Sequence, residues 1–167
     1  MSTKQIALRN AFAAFPTGMA MIAARVDGQD HAMLANSFTS VSLDPPLVSM
    51  AFADGSTTWP QLSRAQDFGI TILGEAQRDL VEQLRLSMPQ RLAGVTLLPA
   101  GIQGRVLPNA AGTFTVQPHQ VVRAGDHDLV LFKVTDYHRE AGTAPLTYFD
   151  RHIGVLRAPA PTAPAQG

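Results

Sequence analysis

Thirteen glycines and twelve prolines punctuate this chain of 167 residues, and they fall where they cut its apolar stretches into short runs. A chain cut this often cannot build long helices, because proline removes a helix hydrogen bond and glycine costs backbone entropy. Short apolar runs bounded by turn residues read as strands. Candidates are Gly18–Val26, His31–Thr39, Leu47–Phe52, Phe68–Leu73, Val95–Leu98, Thr113–Val116 and Leu129–Val134. Asp27-Gly28 between the first two is a hairpin signal. Regular strand–helix alternation is weak and no internal repeat is present, so many short strands argue for a β-barrel rather than a doubly wound sheet.

Three helical segments are expected around this β framework. Leu8, Phe12 and Phe15 share one face of an opening helix, which Pro16 ends. Ser56 to Arg64 starts a short helix, capped by Ser56 or Thr57, with Pro60 in its first turn. Glu75 to Leu86 reads as a third, with Leu80, Val81 and Leu84 on its apolar face. The ten residues from Ala158 to Gly167 are uncharged and include three prolines, so residues 1–157 are expected to be the folded domain and 158–167 a disordered Ala/Pro-rich tail.

Composition narrows the chemistry. The chain has no Cys, which removes disulfides, Cys-based metal sites and a thiol nucleophile. Thirteen basic residues balance thirteen acidic ones, so no bulk charge favours nucleic acid. No apolar run nears the roughly 20 residues of a membrane span, and no signal-like stretch follows Lys4, so a soluble, cytoplasmic protein is the expectation. His31, His119, His138 and His152 lack metal-ligand spacing, and no GxSxG, GxGxxG or P-loop pattern occurs. The zero balance also gives little colloidal repulsion, which suits a partner chain over exposed apolar surface.

Four features remain as site candidates. Asn36-Ser37-Phe38-Thr39-Ser40-Val41-Ser42 packs one Asn, three Ser and one Thr into seven residues, either a surface of neutral donors or a Ser-rich edge strand and turn. Ser56-Thr57-Thr58 is either a phosphate-binding turn or a plain helix cap. Gly125-Asp126-His127-Asp128 offers a histidine at a barrel mouth, able to donate a hydrogen bond or pass a proton, or a solvated turn histidine. Arg85 and Arg91 either meet a ligand phosphate or stand in solvent. Trp59 lines a pocket or packs the short helix, and the methionines read as packing residues.

Taken in order, Phe15-Pro16-Thr17-Gly18, the run Asn36-Ser37-Phe38-Thr39-Ser40-Val41-Ser42-Leu43-Asp44-Pro45-Pro46-Leu47-Val48, Ser56 with Thr58, Gly125-Asp126-His127 and Pro145-Leu146-Thr147-Tyr148 resemble the flavin reductase-like family with an FMN-binding split barrel. The resemblance spans about residues 5–155. It implies a mainly β, six-stranded antiparallel split barrel with peripheral helices, usually a homodimer with flavin near the subunit interface. It implies an NAD(P)H:flavin oxidoreductase: hydride passes from NADH or NADPH to FMN or FAD, and reduced flavin goes to a flavin-dependent monooxygenase component. The cofactors carry that reaction, so the protein must stack, orient and desolvate them, and neutral donors stabilise the charge that develops.

By resemblance, Thr17, Asn36, Ser37, Ser40, Val41, Ser42 and Tyr148 lie near the flavin, Ser56 and Thr58 near its phosphate, and His127 near the nicotinamide and flavin edge as the catalytic group; Arg91 joins the cofactor-binding set from its place after the third helical segment rather than from the resemblance. Leu34 stands where members commonly carry Thr, so one hydroxyl contact is missing or taken by the backbone. No metal, nucleic acid or membrane partner is implied. A flavin carrier or sensor without reductase activity is the alternative, and a pyridoxamine-phosphate-type oxidase a more distant one. The choices between FMN and FAD and between NADH and NADPH stay open.

Overall fold

Asp27 and Gly28 both adopt left-handed conformations, φ 51° and 78°, the geometry of a two-residue turn whose twist matches its flanking strands. They join β2 (Ala20–Val26) to β3 (Gln29–Ala35), preceded by the short β1 (Thr17–Gly18). The computed structural model describes residues 2–157; the expected tail at 158–167 lies outside them. Next come β4 (Thr39–Leu43), β5 (Pro46–Ala53), β6 (Phe68–Ile72), β7 (Leu98–Pro99), β8 (Arg105–Val106), β9 (Gly112–Ala124), β10 (His127–Arg139), β11 (Leu146–Phe149) and β12 (His152–Val155). Three helices, α1 (Thr3–Phe12), α2 (Trp59–Leu62) and α3 (Leu80–Leu84), are peripheral.

The main sheet runs β3-β2-β6-β9-β10-β5-β4, and every neighbouring pair is antiparallel. A second sheet, β1-β11-β12, pairs Thr17 with Tyr148. The mainly antiparallel β class with peripheral helices is as expected. The main sheet carries seven strands where the resemblance implies six. The stretch expected as one strand, His31–Thr39, breaks at Asn36–Phe38, and Thr39–Leu43 pairs with β5 instead.

β2 divides two cores by its alternation. Ala20, Ile22, Ala24 and Val26 face one cluster with Phe52, Phe68 and Phe132. Met19, Met21 and Ala23 face another with Leu73, Val81, Leu84 and Leu146. Successive side chains of a strand point to opposite faces, so a strand flanked on both sides is buried along nearly all its length. The first core is aromatic: Trp59 stacks on Phe52 at 3.7 Å, and Phe132 meets Phe68 edge-on at 5.5 Å. Trp59 thus packs, and Met19, Met21 and Met50 are core residues.

Several boundaries differ from expectation. β9 and β10 are each 13 residues long, because their outer halves are exposed and carry too few apolar residues to show as strands. Pro118 sits inside β9 next to a register shift at Leu131/Phe132, a place where a missing N–H is tolerated. The helix expected over Glu75–Leu86 is split into a 3-10 turn at Glu75–Gln77 and α3. Gln77 is turned inward, where it accepts from Gly74 N at 2.8 Å and donates to the Pro108 carbonyl at 2.9 Å. Of Val95–Leu98 only Leu98 is in a strand, while Val95 and Leu97 pack on the second core as loop residues.

The loop before β8 is held by Asp67. Its buried carboxylate accepts from the N–H groups of Ile102 (2.8 Å), Gln103 (2.7 Å) and Gly104 (2.7 Å). This draws the loop against Gly69, where a Cβ would lie 2.2 Å from the Arg105 carbonyl oxygen. Only glycine permits that approach.

α1 carries a capping box, with Gln5 N donating to Ser2 Oγ and Ser2 N donating to Gln5 Oε1. None of its residues is buried, and Leu8, Phe12 and Phe15 are 53%, 69% and 74% exposed.

Candidate functional site

β3 ends the main sheet, so one of its edges has no strand partner. Three adjoining clefts lie along that side. The first, about 550 Å³, is lined by Phe12, Phe15, Thr17, Asn36, Ser37 and Tyr148, with Arg9 and Arg151 at its margin. The second, about 220 Å³, shares Asn36 and Tyr148 and adds Met19, Leu34 and Arg85. The third, about 370 Å³, shares Leu34 and Arg85 and adds Met33, Ser56, Thr57, Thr58 and Arg91. The shared residues make them one groove, its first cleft within the roughly 300–1,000 Å³ usual for ligand sites.

Thr17 marks one end. Its Oγ1 is buried without a hydrogen-bond partner among the described residues. A buried polar atom of this kind calls for a partner, and Thr17 lines the first cleft. Asn36 is exposed where the first two clefts meet. The Ser37 hydroxyl is engaged by the fold, accepting from Ala51 N at 3.0 Å and donating to the Ala51 carbonyl at 3.3 Å. This pins the exit of β3 to β5.

The other end is built on Ser56, Thr58 and Arg91. Ser56 Oγ accepts from Trp59 N, the first N–H of α2, at 3.0 Å, although the N-cap position is Thr58 rather than the expected Ser56 or Thr57. Buried Thr58 accepts at Oγ1 from Arg91 Nη1 at 3.0 Å. In both residues the oxygen is the acceptor, so each hydroxyl proton is free to point at a ligand. Arg91 also donates through Nη1 to the Ala32 carbonyl (2.6 Å) and through Nε to the Leu86 carbonyl (2.7 Å). Burial pushes its guanidinium pKa down, but an arginine stays charged. Arg85 pairs with Glu82 at 2.7 Å and stands 6.0 Å from the Tyr148 ring centre.

The serine-rich run is divided. Asn36 and Ser37 reach the groove, but Ser40, Val41 and Ser42 lie on β4 at the opposite end of the main sheet, outside these three clefts. The division occurs at Phe38, which packs against the aromatic core, 5.4 Å from Phe114. Val41 falls in the register shift between Ser40 and Ser42.

His127 opens β10, opposite Ala53 and Ala124, just after the turn at Gly125 (φ 64°). Its Nδ1 lies 2.7 Å from Asp126 Oδ1, and that contact holds the Asp126 carboxyl below the usual range. Arg123 does the same for Asp54, whose N–H donates to the Asp126 carbonyl at 3.0 Å. His127 lies outside the three clefts of a single chain. Arg9, Phe12 and Arg151 were not legible as site residues. Arg9 and Phe12 show only helical i, i+3 spacing, and Arg151 is placed by the turn between β11 and β12, donating to Asn10 Oδ1.

The groove therefore offers neutral hydroxyls and an amide along most of its length, an apolar middle at Met33 and Leu34, and a guanidinium at one end. That set fits a flat polar molecule with an anionic terminus. The flavin reductase like domain matches residues 12–157. The chain belongs to the flavin reductase-like family.

Within this family the chain is 36% identical over 143 residues to the stachydrine N-demethylase reductase subunit Stc3 of Rhizobium meliloti, covering 85% of this chain and 62% of that one. It is 34% identical over 158 residues to an NADH:FMN oxidoreductase of Rhodococcus erythropolis, covering 92% and 81%. Among solved structures, nitrilotriacetate monooxygenase component B from Mycobacterium thermoresistibile superposes with a TM-score of 0.88 at 25% identity, covering 98% of this chain and 92% of the other. The chain thus spans less than two thirds of Stc3.

Proposed function

We propose that this chain is a flavin reductase that uses NADH to reduce FMN or FAD and supplies a flavin-dependent monooxygenase. The observation that carries the reading is the single groove along β3, with the partnerless Thr17 Oγ1 at one end and the Thr58–Arg91 pair at the other. Bound flavin would supply the hydride acceptor. Thr17, Asn36 and Tyr148 would hold its ring, Leu34 and Met33 would pack beside it, and Ser56, Thr58 and Arg91 would hold its phosphate. NADH is the donor named for the Rhodococcus relative. A partner oxygenase is supported by the names of the other two, a reductase subunit and a monooxygenase component.

A second copy of the chain completes this proposal. The exposed face of Leu8, Phe12 and Phe15 borders the first cleft, and Leu43 on β4 is 95% exposed. Apolar area of this kind favours a covering chain. A homodimer would cover the cleft and bring His127 and the Ser40–Ser42 strand into play from either protomer. Among the described residues no helix is long and apolar enough to cross a membrane; a cytoplasmic location, where nicotinamide nucleotides are available, is part of the proposal.

Purified protein is expected to oxidise NADH only when FMN or FAD is added, followed by the loss of NADH absorbance. No flavin-dependent oxidation with NADH or NADPH would overturn the reading. Tight flavin binding without reduction would instead select a carrier or sensor.

His127 is assigned to catalysis rather than to flavin binding. His127→Asn is expected to lower turnover roughly tenfold, the effect of about 1.4 kcal/mol in the barrier, with flavin affinity unchanged. Steady-state kinetics alongside a flavin titration checks this, and wild-type turnover would remove His127 from the reaction.

A further inference from the structure

Arg91 stands across the groove rather than along it. Its Nη1 joins the Ala32 carbonyl on β3 (2.6 Å) to Thr58 Oγ1 (3.0 Å), while Nε is anchored on the Leu86 carbonyl (2.7 Å). The contacts along β3 run from Asn36 through Leu34 to Met33. Ala32 comes next, and there the guanidinium spans the gap. Past it, at Gln29 and Asp30, opens a separate cleft of about 410 Å³ whose other wall is Met88, Pro89, Gln90 and Leu92. Arg91 therefore divides two clefts on one strand edge.

Resting on the flavin reading above, we infer that Arg91 is the end wall of the groove and a specificity-determining residue that selects FMN over FAD. A terminal phosphate monoester carries about −1.5 to −2 charge near neutral pH, more than either phosphate of a dinucleotide diester. It ends where the groove ends, against the hydroxyl protons of Ser56 and Thr58 and the guanidinium. The adenylyl half of FAD has to leave into solvent or displace Arg91 to enter the cleft beyond. Displacement breaks three hydrogen bonds and leaves the buried Thr58 oxygen and the Ala32 carbonyl unpaired. The far cleft has the room but no route while Arg91 is bonded across it.

The test is titration of riboflavin, FMN and FAD against the full chain and its Arg91→Ala and Arg91→Lys variants, read by flavin fluorescence. The wild type is expected to bind FMN at least about tenfold more tightly than FAD, and Arg91→Ala to reduce that ratio about tenfold, on the scale of one charged hydrogen bond. Arg91→Lys keeps the charge but cannot bridge both acceptors, so its ratio should fall between. Equal FMN and FAD affinities in the wild type overturn the wall, and so does an Arg91→Ala variant that weakens both flavins by one factor. If Arg91→Ala does not fold, the wild-type ratio and Arg91→Lys decide. Failure to bind riboflavin, FMN or FAD overturns the flavin reading itself, and the wall with it; riboflavin and FMN binding without discrimination against FAD overturns the wall alone.

Discussion

Thr58→Val is expected to raise the FMN dissociation constant about 10- to 100-fold, the loss of one hydrogen bond to a charged group worth roughly 1.5–3 kcal/mol. Riboflavin, which lacks the phosphate, is expected to bind as it does to the wild type. The contrast follows from the way Thr58 is held. The residue is buried, and its oxygen accepts from Arg91 Nη1 at 3.0 Å, so its proton is available to a phosphate oxygen. Valine fills nearly the same volume and removes only the hydroxyl. Arg91 keeps its bonds to Ala32 and Leu86 in the variant, so the groove should keep its shape. Calorimetric titration of both flavins checks the prediction. Equal losses for riboflavin and FMN would mean that the phosphate does not sit at Thr58.

The largest stability effect is expected at Phe132. Phe132→Ala should cost about 3–5 kcal/mol of unfolding free energy, the range for deleting a buried aromatic ring. The ring is fully buried and meets Phe52, Trp59 and Phe68 with centroids 6.3, 6.5 and 5.5 Å away, all near edge-on. Those three rings come from β5, α2 and β6, so collapse into the cavity would have to move three elements together. Trp59 is the only tryptophan, and its emission during denaturant unfolding reports on this cluster. Trp59 also follows Thr58 in the chain and donates its N–H to Ser56 Oγ. A loosened Trp59 should therefore weaken FMN binding even in the folded variant. A loss below about 1 kcal/mol would show that the cluster repacks and does not anchor the site.

The local rules of turns, breaks and period account for what the sequence made legible. Asp27-Gly28 specified its own hairpin, because few residue pairs tolerate two left-handed conformations in a row. Pro60 sits within the first turn of α2 as expected, while α1 stops at Phe12, short of the Pro16 read as its end. The apolar runs at β5 and β6 were found to within two residues because β6 buries nearly all its side chains and β5 its central ones. The same reasoning missed most of β9 and β10. Their outer halves are held by pairing with each other rather than by burial, and pairing leaves no apolar trace. It also read Glu75–Leu86 as one helix, since its spacing is helical, where the buried Gln77 amide draws the chain inward to Gly74 and Pro108.

The groove was legible as ingredients only. The resemblance singled out Thr17, Asn36, Ser56, Thr58 and Tyr148, and the position after the third helical segment singled out Arg91; these line connected clefts. The resemblance also placed Ser40, Val41 and Ser42 with them; these lie on β4, beyond the partly buried Phe38, and do not line these three clefts. Arg9, Phe12 and Arg151 joined the groove margin through the packing of α1 beside the β11–β12 turn.

The strand-rich class, the turn at Asp27-Gly28, the absence of thiol chemistry and the supply of neutral donors can all be read along the chain, because they depend on residue type and on neighbours a few positions away. Where the groove ends depends instead on contacts between distant parts of the chain. Arg91 reaches Ala32 across 59 positions and Thr58 across 33. A hydrogen bond of that span exists only once the sheet has placed β3, α2 and the Gln90–Leu92 turn together, so no local pattern could announce it.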